Sequence, residues 1–154
     1  MSATSRSRST PKDALIKFLF KLGGGAHRSL YRLTGGALGG RIWGGSILLL
    51  TSTGRKSGRA YTRPLMYFRD SEDLVVVGSN GGLDRDPGWC SNLRTNPHAV
   101  VELGRRKIRV RAEEAGAEQR EHLWQVVVSQ APIYEQYRNS TQREIPLMIL
   151  HPQV

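Results

Sequence analysis

The chain has 154 residues, a single cysteine and a net charge of +10 at pH 7. One domain of that length buries about 68–70% of its unfolded surface, so it needs no covalent or metal staple. The lone Cys90 excludes an intramolecular disulfide framework, and His27, His98, His122 and His151 show no metal-ligand spacing.

The charge is unevenly spread. Residues 1–41 carry +7 of the +10, with Asp13 as their one acid. Such an excess speaks of partners rather than of fold. The chain therefore divides into a basic arm over 1–41 and a folded domain over 42–154. Residues 1–9 are rich in Ser and Arg and read as disordered. Thr10-Pro11-Lys12-Asp13 is a helix start: a hydroxyl at the N-cap, Pro at the first helical position, an acid in the first turn. The following stretch, 14–22, predicts an amphipathic basic helix. It is too short and too charged to span a bilayer. Lys17 and Lys21 interrupt it, and no signal-peptide cleavage pattern follows. It suits the surface of an anionic membrane, or packing on the domain's own surface. Gly23-Gly24-Gly25 ends it, and a second basic stretch from His27 to Leu33 leads into a glycine-rich linker over 35–40.

Strand patterns begin at Ser46. Runs are expected over 46–52, 61–68, 74–78, 99–103, 107–112 and 145–150. Pro64 inside the second marks an edge or a bulge. In the fifth, Ile108 and Val110 alternate with Lys107, Arg109 and Arg111, so one face is apolar and the other cationic. Asp86-Pro87 predicts a capped helix running to about Thr95 and stopped by Asn96-Pro97. A second helix over 118–130 puts Leu123, Trp124, Val127 and Val128 on one face. Pro132 starts a further helical turn with Tyr134 and Tyr137 at i, i+3. Six short strands with two or three helices point to a mainly β (α+β) fold: a small antiparallel barrel with side helices.

The segment with most chemical content is Leu50-Thr51-Ser52-Thr53-Gly54-Arg55-Lys56-Ser57-Gly58-Arg59. An apolar strand feeds a loop with two glycines, hydroxyls and three cations. Backbone N–H groups, hydroxyls and charge together can hold a phosphate or a carboxylate. The same run also reads as a solvated hairpin turn. Gly78-Ser79-Asn80-Gly81-Gly82 ends a strand in a turn open enough to meet a flat or anionic ligand, or forms an ordinary loop. Cys90, beside Trp89, reads as a buried packing thiol. No paired acids, nucleophile motif or metal set is present in the sequence.

Taken in order, these motifs resemble a family. Residues 47–152 are similar to the deazaflavin-dependent nitroreductases of actinobacteria, the coenzyme F-420-dependent split-barrel oxidoreductases. The resemblance rests on Thr51-Ser52-Thr53-Gly54-Arg55-Lys56-Ser57-Gly58-Arg59, Arg63-Pro64-Leu65-Met66-Tyr67, Gly78-Ser79-Asn80-Gly81-Gly82 and Pro87-Gly88-Trp89. It continues through Asn92-Leu93, Asn96-Pro97, Tyr134-Glu135-Gln136-Tyr137 and Arg143-Glu144-Ile145-Pro146. The basic arm also looks like that of the membrane-associated, quinone-reducing members.

The resemblance implies a split β-barrel of the FMN-binding type that binds a reduced 8-hydroxy-5-deazaflavin. Thr53, Gly54, Arg55, Lys56 and Ser57 would hold the phosphate region, and Arg59, Arg63 and Pro64 would lie nearby. Met66, Gly78, Ser79, Asn80, Trp89 and Asn92 would line the ring and its ribityl chain. Hydride transfer would go to a menaquinone-like quinone or a nitroaromatic, with Tyr134 and Tyr137 as the catalytic hydroxyls. Nitroimidazole-activating members differ at Ala131, Cys90 and Asn80, where they carry tyrosine, an aromatic and lysine. The differences at Ala131 and Cys90 favour a quinone over a bulky nitroimidazole as the acceptor, and Asn80 leaves out a cationic contact to the coenzyme. Such an enzyme is expected in the cytoplasm, peripheral on the inner face of the membrane. Two other readings compete: a non-catalytic basic binder of nucleic acid or anionic membrane, and the same barrel using FMN or haem. No helix-turn-helix, zinc finger or RNA-recognition signature supports nucleic acid as a partner.

Overall fold

Apolar residues in six short segments decide the architecture, because each such strand places at least one face in a common interior. The structure is a computed structural model and describes residues 28, 29, 32, 41, 42 and 45–154. Its strands are β1 (Arg41–Ile42), β2 (Gly45–Thr53), β3 (Ala60–Asp70), β4 (Asp73–Val77), β5 (His98–Leu103), β6 (Arg106–Glu114) and β7 (Leu147–Pro152). All pairings are antiparallel, in the order β1-β2-β3-β4-β7-β6-β5. A short pairing of Leu49–Thr51 with Val100–Glu102 joins β5 back to β2. Strands β2 to β7 thus close into a six-stranded barrel, with β1 as an appendage. This is the expected barrel, and its strands fall within a few residues of the expected runs.

The interior is filled by the inward alternation. Leu48, Leu50, Leu74, Val76, Val101, Val110, Met148 and Leu150 are buried there. Helix α1 (Gly88–Thr95) adds Trp89, Cys90 and Leu93 to the same cluster. Each large apolar side chain so buried contributes about 1.5–3 kcal/mol. A second cluster lies on the outer face of β3, β4 and β7. There Phe68, Val75 and Ile149 pack against Leu123, Trp124 and Val127 of α2 (Ala117–Gln130) and Tyr134 of α3 (Ile133–Asn139).

Three local features depart from or refine the sequence pattern. Pro64 pairs with Leu49 of β2, but β4 meets β3 only over residues 67–70. The half of β3 holding Pro64 therefore has one unpaired edge, where a missing N–H costs nothing. Helix α1 starts one residue later than expected, with Pro87 at the N-cap and no side-chain cap. Asp86 does not cap it because its carboxylate is held by Arg94 at 2.8 Å and Arg143 at 2.6 Å. Strand β7 starts at Leu147 rather than Ile145, since Pro146 has no N–H to pair; its carbonyl accepts a bond from Gly78 N–H.

The expected disordered stretch 1–9, the helix over 14–22 and the linker 35–40 lie outside the described residues. Arg28, Ser29 and Arg32 are helical. The Arg32 guanidinium donates two bonds to Glu102 of β5, at 3.0 and 2.9 Å, and Arg28 donates to the Thr62 carbonyl at 3.4 Å. Glu102 is only 6% exposed, so this bidentate partner offsets much of the cost of burying its charge. No helix among the described residues is long and apolar enough to cross a membrane.

Candidate active site

The turn between β2 and β3 is tied from within. Gly54 N–H donates to the Arg59 carbonyl at 2.7 Å, and Gly58 N–H donates to the Gly54 carbonyl at 2.9 Å. Gly58 has φ +69, the left-handed region that a side chain resists. Arg55 N–H donates to Asn92 Oδ1 at 3.1 Å, and Arg59 N–H donates to Ser57 Oγ at 3.2 Å. Four amides that the sequence suggested as anion donors are thus committed inside the protein. Beyond them, Arg55, Lys56 and Ser57 line a neighbouring cavity. Asn92, 7% exposed on α1, also reaches Ser52 Oγ at 3.5 Å, so it braces the turn against the helix.

A cavity of about 530 Å³ opens between this turn, the first half of β3 and the start of α1. Its lining includes Gly54, Arg55, Lys56, Ser57, Arg63, Pro64, Asn80, Trp89 and Asn92, nine of the residues singled out in the sequence. Three of them are cations and no lining residue is an acid. A concave wall of one sign focuses the field and draws anions. Tyr61, Leu65, Pro87 and Gly88 complete the wall. Period two on β3 was the signal for Tyr61 and Leu65, since both share a face with Arg63. Tyr61 Oη lies 3.2 Å from Ser57 Oγ. A Cβ on Gly54 would fall 2.5 Å from the Tyr61 ring, so glycine there lets the ring lie against the turn.

Other expected site residues lie apart from this cavity. Met66, one position out of phase with Arg63, packs on the outer cluster. Thr53 borders a second cavity of about 410 Å³ that also touches Thr51, His98 and Arg109. Gly78 is a packing glycine, whose Cβ would fall 2.6 Å from both Cys90 Sγ and Pro146 Cγ. Cys90 is buried, and its burial pushes the thiol pKa well up, so it stays a packing thiol. Ser79 is 8% exposed, and its carbonyl accepts from Arg143 at 2.9 Å. The same guanidinium also takes the carbonyls of Gly78 and Leu83 and the Asp86 carboxylate. Arg143 thereby fixes the turn that carries Asn80 to the cavity. Asn80 itself adopts φ +47 and donates to the Arg85 carbonyl at 3.2 Å.

Tyr134 and Tyr137 stand on the outer cluster, ring centroids 5.5 Å apart and edge to face, with Phe68 5.6 Å beyond Tyr134. Burial pushes the Tyr134 hydroxyl pKa up and the neighbouring Tyr137 adds to it, so Tyr134 keeps its proton. The two tyrosines and Met66 thus share one side of β3, while the cationic groove occupies the other. The unpaired edge of β3 lies between them. The Gly78–Gly82 turn touches both sides: Asn80 lines the groove, and a Cβ on Gly82 would lie 3.5 Å from Tyr137 Cα.

Comparison with known proteins gives concordant results. The model of the F420H(2)-dependent quinone reductase family matches residues 25–152. An F420H(2)-dependent quinone reductase of Mycobacterium tuberculosis is 37% identical over 128 residues, covering 80% of this chain and 86% of its own length. The solved structure of the F420-H2 dependent reductase FDR-A superposes with a TM-score of 0.64 at 36% identity, over 68% of this chain and 93% of that one. A structure described as a domain-swapped dimer superposes at 0.67 with 30% identity, over 92% of this chain and all of its own.

Proposed function

The chain belongs to the F420H(2)-dependent quinone reductase family, and on that footing we propose that it transfers a hydride from reduced deazaflavin to a quinone. The observation that carries this reading is the groove itself: Arg55, Lys56 and Arg63 around one concavity with no acid among its lining. The coenzyme is a flavin-like ring on a tail of phosphodiester and carboxylates, and that donor set fits such a tail. Arg55, Lys56 and Arg63 hold it by charge-assisted bonds, and Ser57 and Tyr61 offer hydroxyls beside them. Trp89 supplies a flat apolar wall next to the cations. When bound, the coenzyme supplies two electrons and a proton as hydride, and the protein supplies position and exclusion of water.

The acceptor side is the unpaired edge of β3 and the tyrosines behind it. The Tyr137 hydroxyl orients the acceptor carbonyl by hydrogen bonding, and Tyr134, kept protonated, holds Tyr137 in place through their edge-to-face contact. A quinone that accepts a hydride needs one further proton from this side to become a quinol. A nitroaromatic is a second acceptor class for the same delivery. Ala131 leaves the aromatic wall thinner than in nitroimidazole-activating members, so a quinone is the better match. A quinone with a lipid tail lives in the bilayer, and the basic arm places the enzyme at the inner membrane surface.

The test is turnover. Reduced deazaflavin mixed with the protein and a soluble naphthoquinone should lose its reduced-state absorbance far faster than without protein. Tight coenzyme binding with no acceleration by any quinone would overturn the reaction while leaving the groove's assignment intact.

A further inference from the structure

The charge outside the arm is sorted, not merely mild. Around the barrel β6 stands opposite β3, and β5 stands opposite β4. The β5–β6 hairpin carries Arg105, Arg106, Lys107, Arg109 and Arg111, all exposed, and none of the five pairs with a described acid. Lys107, Arg109 and Arg111 alternate with the inward Ile108 and Val110, so they form a comb on the outer face with teeth about 6.6–6.8 Å apart. The acids of the hairpin are Glu102, which stands in register with Lys107 and is bound by Arg32, and Glu113 and Glu114 at the far end of β6, which are held by His151 and Arg94. On the far side Asp70, Glu72 and Asp73 at the β3–β4 turn and Glu118, Glu121 and Glu135 on α2 and α3 stand against Arg69, Arg120 and Arg138.

We propose that the outer face of the β5–β6 hairpin is a docking surface for an anionic lipid bilayer, beside Arg32, which is bound to Glu102 of β5. This rests on the membrane-surface reading above and adds which side of the barrel faces the lipid. Charge complementarity selects the partner class, and the polarised barrel gives a torque as well as an attraction: one side is drawn to the surface and the other repelled. A bilayer suits this face better than nucleic acid. The comb lies on a sheet, with no helix to enter a groove, and no aromatic interleaves its cations to stack bases. The consequence is orientation: β3, with the groove on one side and the tyrosines on the other, is held on the half of the barrel away from the lipid plane, so a lipid-tailed acceptor reaches it around a barrel end.

The full-length protein is mixed with vesicles of phosphatidylglycerol in phosphatidylcholine and with vesicles of phosphatidylcholine alone, and bound protein is measured by flotation. The wild type should float with the anionic vesicles and not the neutral ones, less so as salt is raised. The reversal K107E/R109E/R111E should weaken anionic binding by roughly a hundredfold or more. The charge-conserving K107R/R109K/R111K should restore it. Both variants should bind deazaflavin like the wild type, which shows them folded and separates this face from the groove. Unchanged flotation of the reversed variant would overturn the proposal, because the arm alone would then account for binding. Equal binding to neutral vesicles, or a loss confined to duplex DNA in the reversed variant, would overturn it equally.

Discussion

The two faces of β3 teach more about this protein than either alone. On the inner face Tyr61, Arg63 and Leu65 border an open, cationic cavity. On the outer face Met66 and Phe68 join the packed cluster of Tyr134, Tyr137 and Trp124. One strand, read at even and odd positions, thus separates a cation-lined cavity from the aromatic wall. The strand permits this because its first half pairs only with β2, leaving an edge that joins the two sides. Charge tolerates the wet inner groove, and apolar area needs the dry outer cover.

The largest effects should come from the inner face. Replacing both Lys56 and Arg63 with Gln removes two charge-assisted contacts, each worth about 1.5–3 kcal/mol. Deazaflavin affinity should fall by at least about a hundredfold in a fluorescence titration, with little change in thermal unfolding. Next comes Tyr137→Phe. It should lower kcat by about a hundredfold while leaving coenzyme affinity unchanged, as expected of a hydroxyl that serves the acceptor. An equal loss in coenzyme affinity would erase the division between the faces. Gly54→Ala sharpens it from the other side. Its methyl would fall 2.5 Å from the Tyr61 ring and 2.8 Å from Ser57 Oγ. Displacing Tyr61 should weaken coenzyme binding and cost about 1–3 kcal/mol of stability by denaturant unfolding.

Much of this was legible in the sequence, and the failures have physical causes. The barrel followed from six short apolar or alternating runs set off by turn signals, and Arg55, Lys56 and Arg63 were visible as cations on a turn and strand. Met66 was set against the ring by the resemblance to the family, not by the strand pattern. Alternation sends it to the opposite face, and the same rule would have named Tyr61 and Leu65. The turn's amides looked available because sequence shows donors but not their partners. Asn92, expected as a pocket wall, satisfies one of them from α1. Gly78 looked like an opening for ligand, yet its lack of a side chain serves the contact with Cys90 and Pro146. Glu102 gave no local sign of its partner, since Arg32 lies 70 residues earlier.

The smallest effect lies far from the groove. His151 lies with both ring nitrogens 2.8 Å from carboxylates, Asp73 and Glu113, and joins β7 to β4 and β6. Burial opposes its charge, but the bonds to Glu113 and Asp73 outweigh it and raise its pKa above the usual 6.5. A raised pKa stabilises the fold fully below the unfolded value and loses that contribution as pH rises through the folded value. The Tm difference between wild type and His151→Gln should therefore be larger near about pH 6 than near about pH 9, with coenzyme affinity equal in both. A difference that grows with pH would show that the imidazole is neutral in the fold.

The most direct measurement of the central claim is a paired titration of wild type and Arg63→Gln with coenzyme F-420 and with FMN, read by fluorescence. The wild type should bind the deazaflavin tightly and FMN weakly, and Arg63→Gln should lose at least about tenfold for the deazaflavin. Deazaflavin binding that is unaffected by Arg63→Gln, or no preference over FMN, would contradict a coenzyme held in the cationic groove of β3.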